Sequence, residues 1–251
     1  AFERVARAWH ENAKGQWAIV HAADIIRSLE RDVFPAIGDM PIAQLTPPLV
    51  LSVLREIEAR GAIETAKRVR QRISAVFIYG IAEGIATSDP AEKLGAVLKP
   101  LRKGRQPAIT DLVPLRRMIR TAEEDYARPV TRLALRLLAL TAVRPSELRG
   151  AQWDEFEDLN GSEPLWRIPA WRMKGDADRK DELHGDHLVP ITPQALAVLR
   201  AVWPLTGEGP LVFPSNRHAH RPMSENAIGY LLNRAGYHGH HVPHGFRAAF
   251  S

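Results

Sequence analysis

Residues 129–148 read PVTRLALRLLALTAVRPSEL, and how they are read decides the rest of the chain. Eight leucines, alanines and valines from 130 to 140 make a helix that is apolar on most sides, which is the pattern of a buried helix. Burying it carries Arg144 toward the interior, where an unpaired guanidinium is costly. Pro145 and Ser146 can open a second helix, with Glu147 in its first turn, placed to pair with Arg144 or orient it. Two readings fit these residues: a structural ion pair at a helix junction, or an arginine held by a carboxylate for gripping an anion.

Working outward, a helix is expected over 111–124, just before this stretch. Beyond it, three segments have strand character: 152–156, 165–169 and 187–191. Asn160-Gly161 and the charged stretch 175–186 separate them. Helices resume at about 193–202 and 224–235, and a last element begins near Pro243. The second part of the chain is therefore mixed, with a small β component.

The first hundred residues read as helices. Residues 3–12 and 21–34 carry helical patterning, and 34–39 (FPAIGD) is a breaker. Thr46 is the expected cap of a helix over 47–59. A fourth helix covers about 62–83, with Val69, Ile73, Val76, Phe77 and Ile81 as its buried stripe. On it Arg68 and Arg72 stand one turn apart, beside Lys67 and Arg70. Clustered cations on a rigid element suit a phosphate backbone, and they also suit a solvated helix face. Between the halves, 99–107 (KPLRKGRQP) holds two prolines, a glycine and four basic residues, including Arg102, Lys103 and Arg105. That is the composition of an exposed basic linker. The expected organisation is a helical domain over 1–98, this linker, and a mixed domain over 108–251.

Composition sets outer bounds. The 251 residues are 45% hydrophobic and 25% charged, average for a globular protein. No apolar run approaches the roughly 20 residues of a membrane span, and there is no signal-peptide pattern. The chain has no cysteine, which excludes disulfides and thiolate metal sites. Its net charge of +5 points only weakly to an anionic partner.

Two further features carry chemistry. Lys174 follows Trp171-Arg172-Met173 between two expected strands, hence on a hairpin. A lysine there can swing to a leaving oxygen as a general acid, or simply be solvated. His244-Gly245-Phe246-Arg247 puts a histidine and an arginine three residues apart, on one face of a first helical turn. Such a pair can bind one phosphate with help from backbone amides, and Gly245 would admit a close nucleic-acid backbone. His238, His240, His241 and His244 also invite a metal reading. Zinc sites use histidines with defined spacing and locked rings, so a polar, mobile turn is the preferred reading and no metal is expected.

Taken in order, the Arg-Pro-Ser-Glu-Leu turn after an apolar helix, the hairpin lysine and His-Gly-Phe-Arg resemble the tyrosine recombinases, specifically prophage integrases of the satellite-phage type. The segments 166–169 (WRIP), 187–190 (HLVP), 210–214 (PLVFP) and 221–224 (RPMS) resemble that subfamily too. So do 28–35 and 67–74 in the N-terminal half. The resemblance implies a four-helix, SAM-like core-binding domain and an α+β catalytic domain with a small antiparallel sheet.

It also implies roles. Arg144 and Arg247 would clamp the non-bridging oxygens of a scissile phosphate, Lys174 would protonate the departing 5′ oxygen, His244 would serve in proton transfer, and Glu147 would support the arginine. Lys67, Arg68, Arg70, Arg72, Arg102, Lys103 and Arg105 would contact DNA. The implied partners are double-stranded attachment-site DNA and further copies of the chain in a tetramer, in the bacterial cytoplasm, with no membrane and no cofactor. The family's nucleophilic tyrosine lies well beyond His-x-x-Arg. Tyr79, Tyr126, Tyr230 and Tyr237 all precede it, so the expectation is a fragment that binds DNA without catalysis. The alternative is a non-catalytic DNA-binding protein on a decayed recombinase scaffold. A metal-dependent nuclease built on the histidine cluster is a third reading.

Overall fold

A computed structural model describes residues 1–101, 104–173 and 185–250. The chain divides into two compact units, Ala1–Lys103 and Gly104–Ser251. Among the described residues no helix is long and apolar enough to cross a membrane.

The first unit is helical: α1 (Phe2–Ala13), α2 (Ile19–Asp32), α3 (Phe34–Ile37), α4 (Pro47–Ala59) and α5 (Ile63–Ala82). Its core joins Phe2, Leu29, Val50, Leu54, Ile57, Val69, Ile73, Val76 and Phe77, each almost fully buried. Three expectations need correction. The breaker over 34–39 holds the single-turn α3, because Pro35 sits in its first turn, where a missing N–H costs nothing. Thr46 precedes α4 but makes no side-chain cap bond. Pro47 and Pro48, the next two residues, have no N–H to donate to it. Ile81 is 41% exposed. At about 100° per residue it has drifted roughly 120° from Val69. Gly80 lies within about 20° of Val69 and takes the buried place, its Cα side against Ile42.

The second unit is built around α7 (Pro129–Thr141), whose Ala134, Leu135, Leu137 and Leu138 are all fully buried. Around it stand α6 (Leu112–Glu124), the short α8 (Pro145–Arg149), α9 (Pro193–Thr206) and α10 (Ala227–Leu232). A final turn, Pro243–Gly245, runs into α11 (Phe246–Ala249). The sheet is small and antiparallel, in the order β1 (Phe156–Glu157), β2 (Leu165–Ile168), β3 (His187–Pro190). Trp166 pairs with Val189 and Ile168 with His187, so one face of the sheet presents Trp166, Ile168 and Val189 to the core. Phe156 stacks on Trp166 at 5.0 Å.

The strand expected over 152–156 is mostly a tight turn, Trp153–Glu155, with only Phe156 in β1. Its backbone is drawn elsewhere: the Trp153 amide donates to Pro210 O at 2.9 Å, and the Val212 amide to Ala151 O at 3.0 Å. The helix expected over 224–235 is regular only as α10. A wide turn, Asn233–Tyr237, follows it, with Gly236 at positive φ.

Candidate functional site

The end of α7 sets the geometry. Ala142 takes the left-handed conformation at φ 50° and stops the helix. Val143 is fully buried and pins the turn to the core. Arg144, in extended conformation, then enters α8. Glu147, one turn on, sends its carboxylate back: Oε2 accepts from the Arg144 amide at 2.8 Å and Oε1 from Arg144 Nη1 at 2.6 Å. The Glu147 side chain is 1% exposed and that of Arg144 31%. A buried carboxylate thus holds a half-buried guanidinium whose open edge reaches solvent.

Arg247 arrives from the far end of the unit. Its Nη1 donates to Ala142 O at 2.9 Å, two residues before Arg144. The structure therefore brings both arginines to one turn, although 103 positions separate them in sequence (247 minus 144). His244 lies in the turn before α11 and is exposed.

Gly245 is closely approached from within the chain. A Cβ there would stand 3.0 Å from Pro107 O and 3.0 Å from His241 Cε1. The close neighbour is the chain's own segment, which the glycine lets pass. His241 is unlike the polar, mobile turn expected of the histidine cluster. It is 1% exposed, sits edge-on to Phe246 at 4.6 Å, and accepts the Ile109 amide proton on Nδ1 at 3.0 Å. Burial pushes its imidazole down to about 4. His238, His240 and His244 are exposed, so the run splits into one packed ring and three surface ones. Among the described residues no three histidine or acidic side chains group as a metal site.

Sequence reasoning missed the support beneath the arginine pair. Arg172, with an 8% exposed side chain, donates from Nη1 to Glu147 O at 3.2 Å and from Nη2 to Glu155 Oε2 at 2.6 Å. Trp166 Nε1 donates to the same Glu155 oxygen at 2.9 Å. This buried network ties the floor of α8 to the sheet. His187 places Nδ1 3.9 Å from Glu147 Oε2. The available signal was its period-two partnership with Val189, which marks His187 as facing inward.

In the first unit, the basic group on α5 splits. Arg68 pairs with Glu64 and stays largely exposed. Arg72 is half buried, donates to Ser28 Oγ and to Asp24 O, and has its pKa lowered by burial and then by the Arg68 cation. Arg70 faces another side and lies on the carbonyls of Ala91 and Glu92 at 3.4 and 3.3 Å. Lys67 is half-buried and Arg105 exposed. Lys174, Arg102 and Lys103 lie outside the described residues.

Comparison with known proteins gives the family and the fold. The family model described as the phage integrase central domain matches residues 2–97, and that of the phage integrase family matches 113–251. Prophage integrase IntA of Escherichia coli (strain K12) is 37% identical over 252 residues, covering 100% of this chain and 58% of the relative. The integrase of Enterobacteria phage P4 is 35% identical over 240 residues, covering 94% and 54%. The chain thus spans a little over half the length of these curated relatives. Among solved structures, a lambda integrase dimer bound to a COC′ core site has a TM-score of 0.70 at 19% identity, over 97% of this chain and 82% of that one. The Tn1549 transposon integrase with a circular intermediate DNA has a TM-score of 0.70 at 15% identity, over 98% and 85%. At such identities the likeness is one of fold.

Proposed function

The chain belongs to the phage integrase family, and from that premise we propose that it is the core-binding and catalytic portion of a site-specific DNA recombinase. The domains are residues 1–98 and 108–251, joined by the basic segment 99–107. The observation that carries the reading is the convergence of Arg144 and Arg247 on the turn at Ala142.

In the proposed reaction a tyrosine oxygen attacks the scissile phosphorus, forms a 3′-phosphotyrosine and expels the 5′ oxygen, and rejoining reverses these steps. The link keeps the phosphodiester energy, so no nucleotide cofactor is needed. Negative charge builds on the non-bridging oxygens. Preorganised cations there lower the barrier, and one such donor is worth on the order of 10²–10³ in rate. Arg144 and Arg247 take that role. Glu147 fixes Arg144, His244 moves a proton at the phosphate, and Lys174 protonates the departing oxygen. Arg68, Arg72, Lys67, Arg70, Arg102, Lys103 and Arg105 contact the backbone of duplex DNA, on which copies of the chain assemble. The carboxylate on Arg144 supports this reading, because it leaves one guanidinium edge open while satisfying the buried one.

The 251 residues contain no tyrosine beyond Arg247. This polypeptide alone is therefore expected to bind DNA without forming the covalent link. Fluorescence anisotropy on duplex DNA and a denaturing gel test both statements. The expected result is an affinity that falls steeply with salt, as counterion release requires, with no protein–DNA adduct. Arg144→Ala and Arg247→Ala should each weaken binding several-fold. A flat salt dependence overturns the reading.

A further inference from the structure

Glu147 has two carboxylate oxygens and more than one neighbour. Oε1 takes the Arg144 guanidinium and Oε2 takes the Arg144 amide. The second oxygen also faces Nδ1 of His187 at 3.9 Å. That ring nitrogen is fully buried and has no hydrogen-bond partner among the described residues, although 38% of the His187 side chain is exposed. The exposure therefore belongs to the ring's other edge. β3 enforces this pose, because Ile168 opposite and Val189 two residues on fix which face of the strand turns inward.

The state of the ring follows from electrostatics. With its proton on Nε2, His187 would aim a lone pair at a carboxylate oxygen across a dry gap, which is repulsive. With a proton on Nδ1, the same geometry becomes an attractive charge-assisted contact. The bond made by one ring nitrogen sets the tautomer. We propose that His187 is a positioning residue of the phosphate site, its Nδ1–H directed at Glu147. This rests on the phosphate-site reading above and adds a residue to it.

The consequence falls on Arg144. A carboxylate bonded to a guanidinium competes with an incoming phosphate for its charge. An N–H drawing on Oε2 weakens that competition and holds the carboxylate in place. Arg144 is then oriented and still free to attract an anion at its open edge.

Nuclear magnetic resonance on the 251-residue chain, with ¹⁵N in histidine and arginine, tests this with inorganic phosphate as the probe. At neutral pH the His187 Nδ1 should carry a proton, whatever the state of Nε2; an unprotonated Nδ1 overturns the proposal. Phosphate should shift the Arg144 resonance. In His187→Ala and His187→Gln the phosphate affinity read at Arg144 should fall about five-fold, the size of a partly exposed charge contact. His187→Asn puts an amide N–H near the place of Nδ1 and should stay within about two-fold of the unmodified chain. If His187→Ala does not fold, the Asn and Gln pair still decides. Equal affinities in the Asn and Gln variants overturn the role of His187 alone. If phosphate moves neither Arg144 nor Arg247 in the unmodified chain, the phosphate-site reading falls and this inference with it.

Discussion

A histidine whose Nδ1 accepts a backbone amide proton must keep its own proton on Nε2, and this is the state of His241 against Ile109. The ring is neutral, and burial has moved its pKa from 6.5 to about 4. Between those values the unfolded chain binds a proton that the folded chain refuses. Stability is therefore fully present above pH 6.5 and is lost as pH falls toward 4, by on the order of 3 kcal/mol. Urea unfolding at pH 7 and pH 5 should reveal that loss. His241→Asn, whose oxygen can accept the Ile109 amide without titrating, should flatten it; an equal loss in both proteins would remove His241 as the cause. The same residue marks the limit of legibility at this scale. Arg144 and Glu147 stood out because they pair three residues apart, and His244 and Arg247 because they share that spacing in the sequence. The partner of His241 lies 132 positions away, and Arg172 meets Glu155 across 17. Local spacing carries no trace of either.

At the scale of elements, helices were legible because burial repeats along them with a fixed period, and α5 and α7 kept nearly their expected limits. The segment 152–156 was misread because its pairing is with 210–212, which strand propensity cannot see. The stop signal of α7 is also unusual. An alanine holds the left-handed conformation there, a strain of about 1–2 kcal/mol that glycine avoids. The turn keeps it because Ala142 O receives Arg247 and Val143 is locked in the core. Ala142→Gly should therefore raise stability by about 0.5–1 kcal/mol, the released strain less the extra freedom of glycine in the unfolded chain. Thermal unfolding measures it. A loss of stability would mean that the alanine methyl is packed rather than strained.

At the scale of the whole chain, the two units keep separate cores. The first joins Phe2 through Leu98, and the second begins at Leu115 and closes on Phe246. Each buries its own apolar side chains, so each is expected to fold when made alone, as 1–103 and as 104–251. Both also carry basic groups proposed to meet the DNA backbone, and this makes binding additive in a measurable way. The slope of log K against log salt counts the phosphates neutralised, about 0.9 per contact on duplex DNA. The slope of the intact chain should therefore approach the sum of the two separate slopes. Its affinity should exceed either unit's by more than ten-fold, because the second contact becomes intramolecular. Anisotropy titrations of the three polypeptides on one duplex, across a salt series, give both quantities. A unit that folds by circular dichroism yet adds nothing to the slope would place the DNA surface wholly on the other. For 104–251 that outcome would also leave Arg144 and Arg247 without their phosphate.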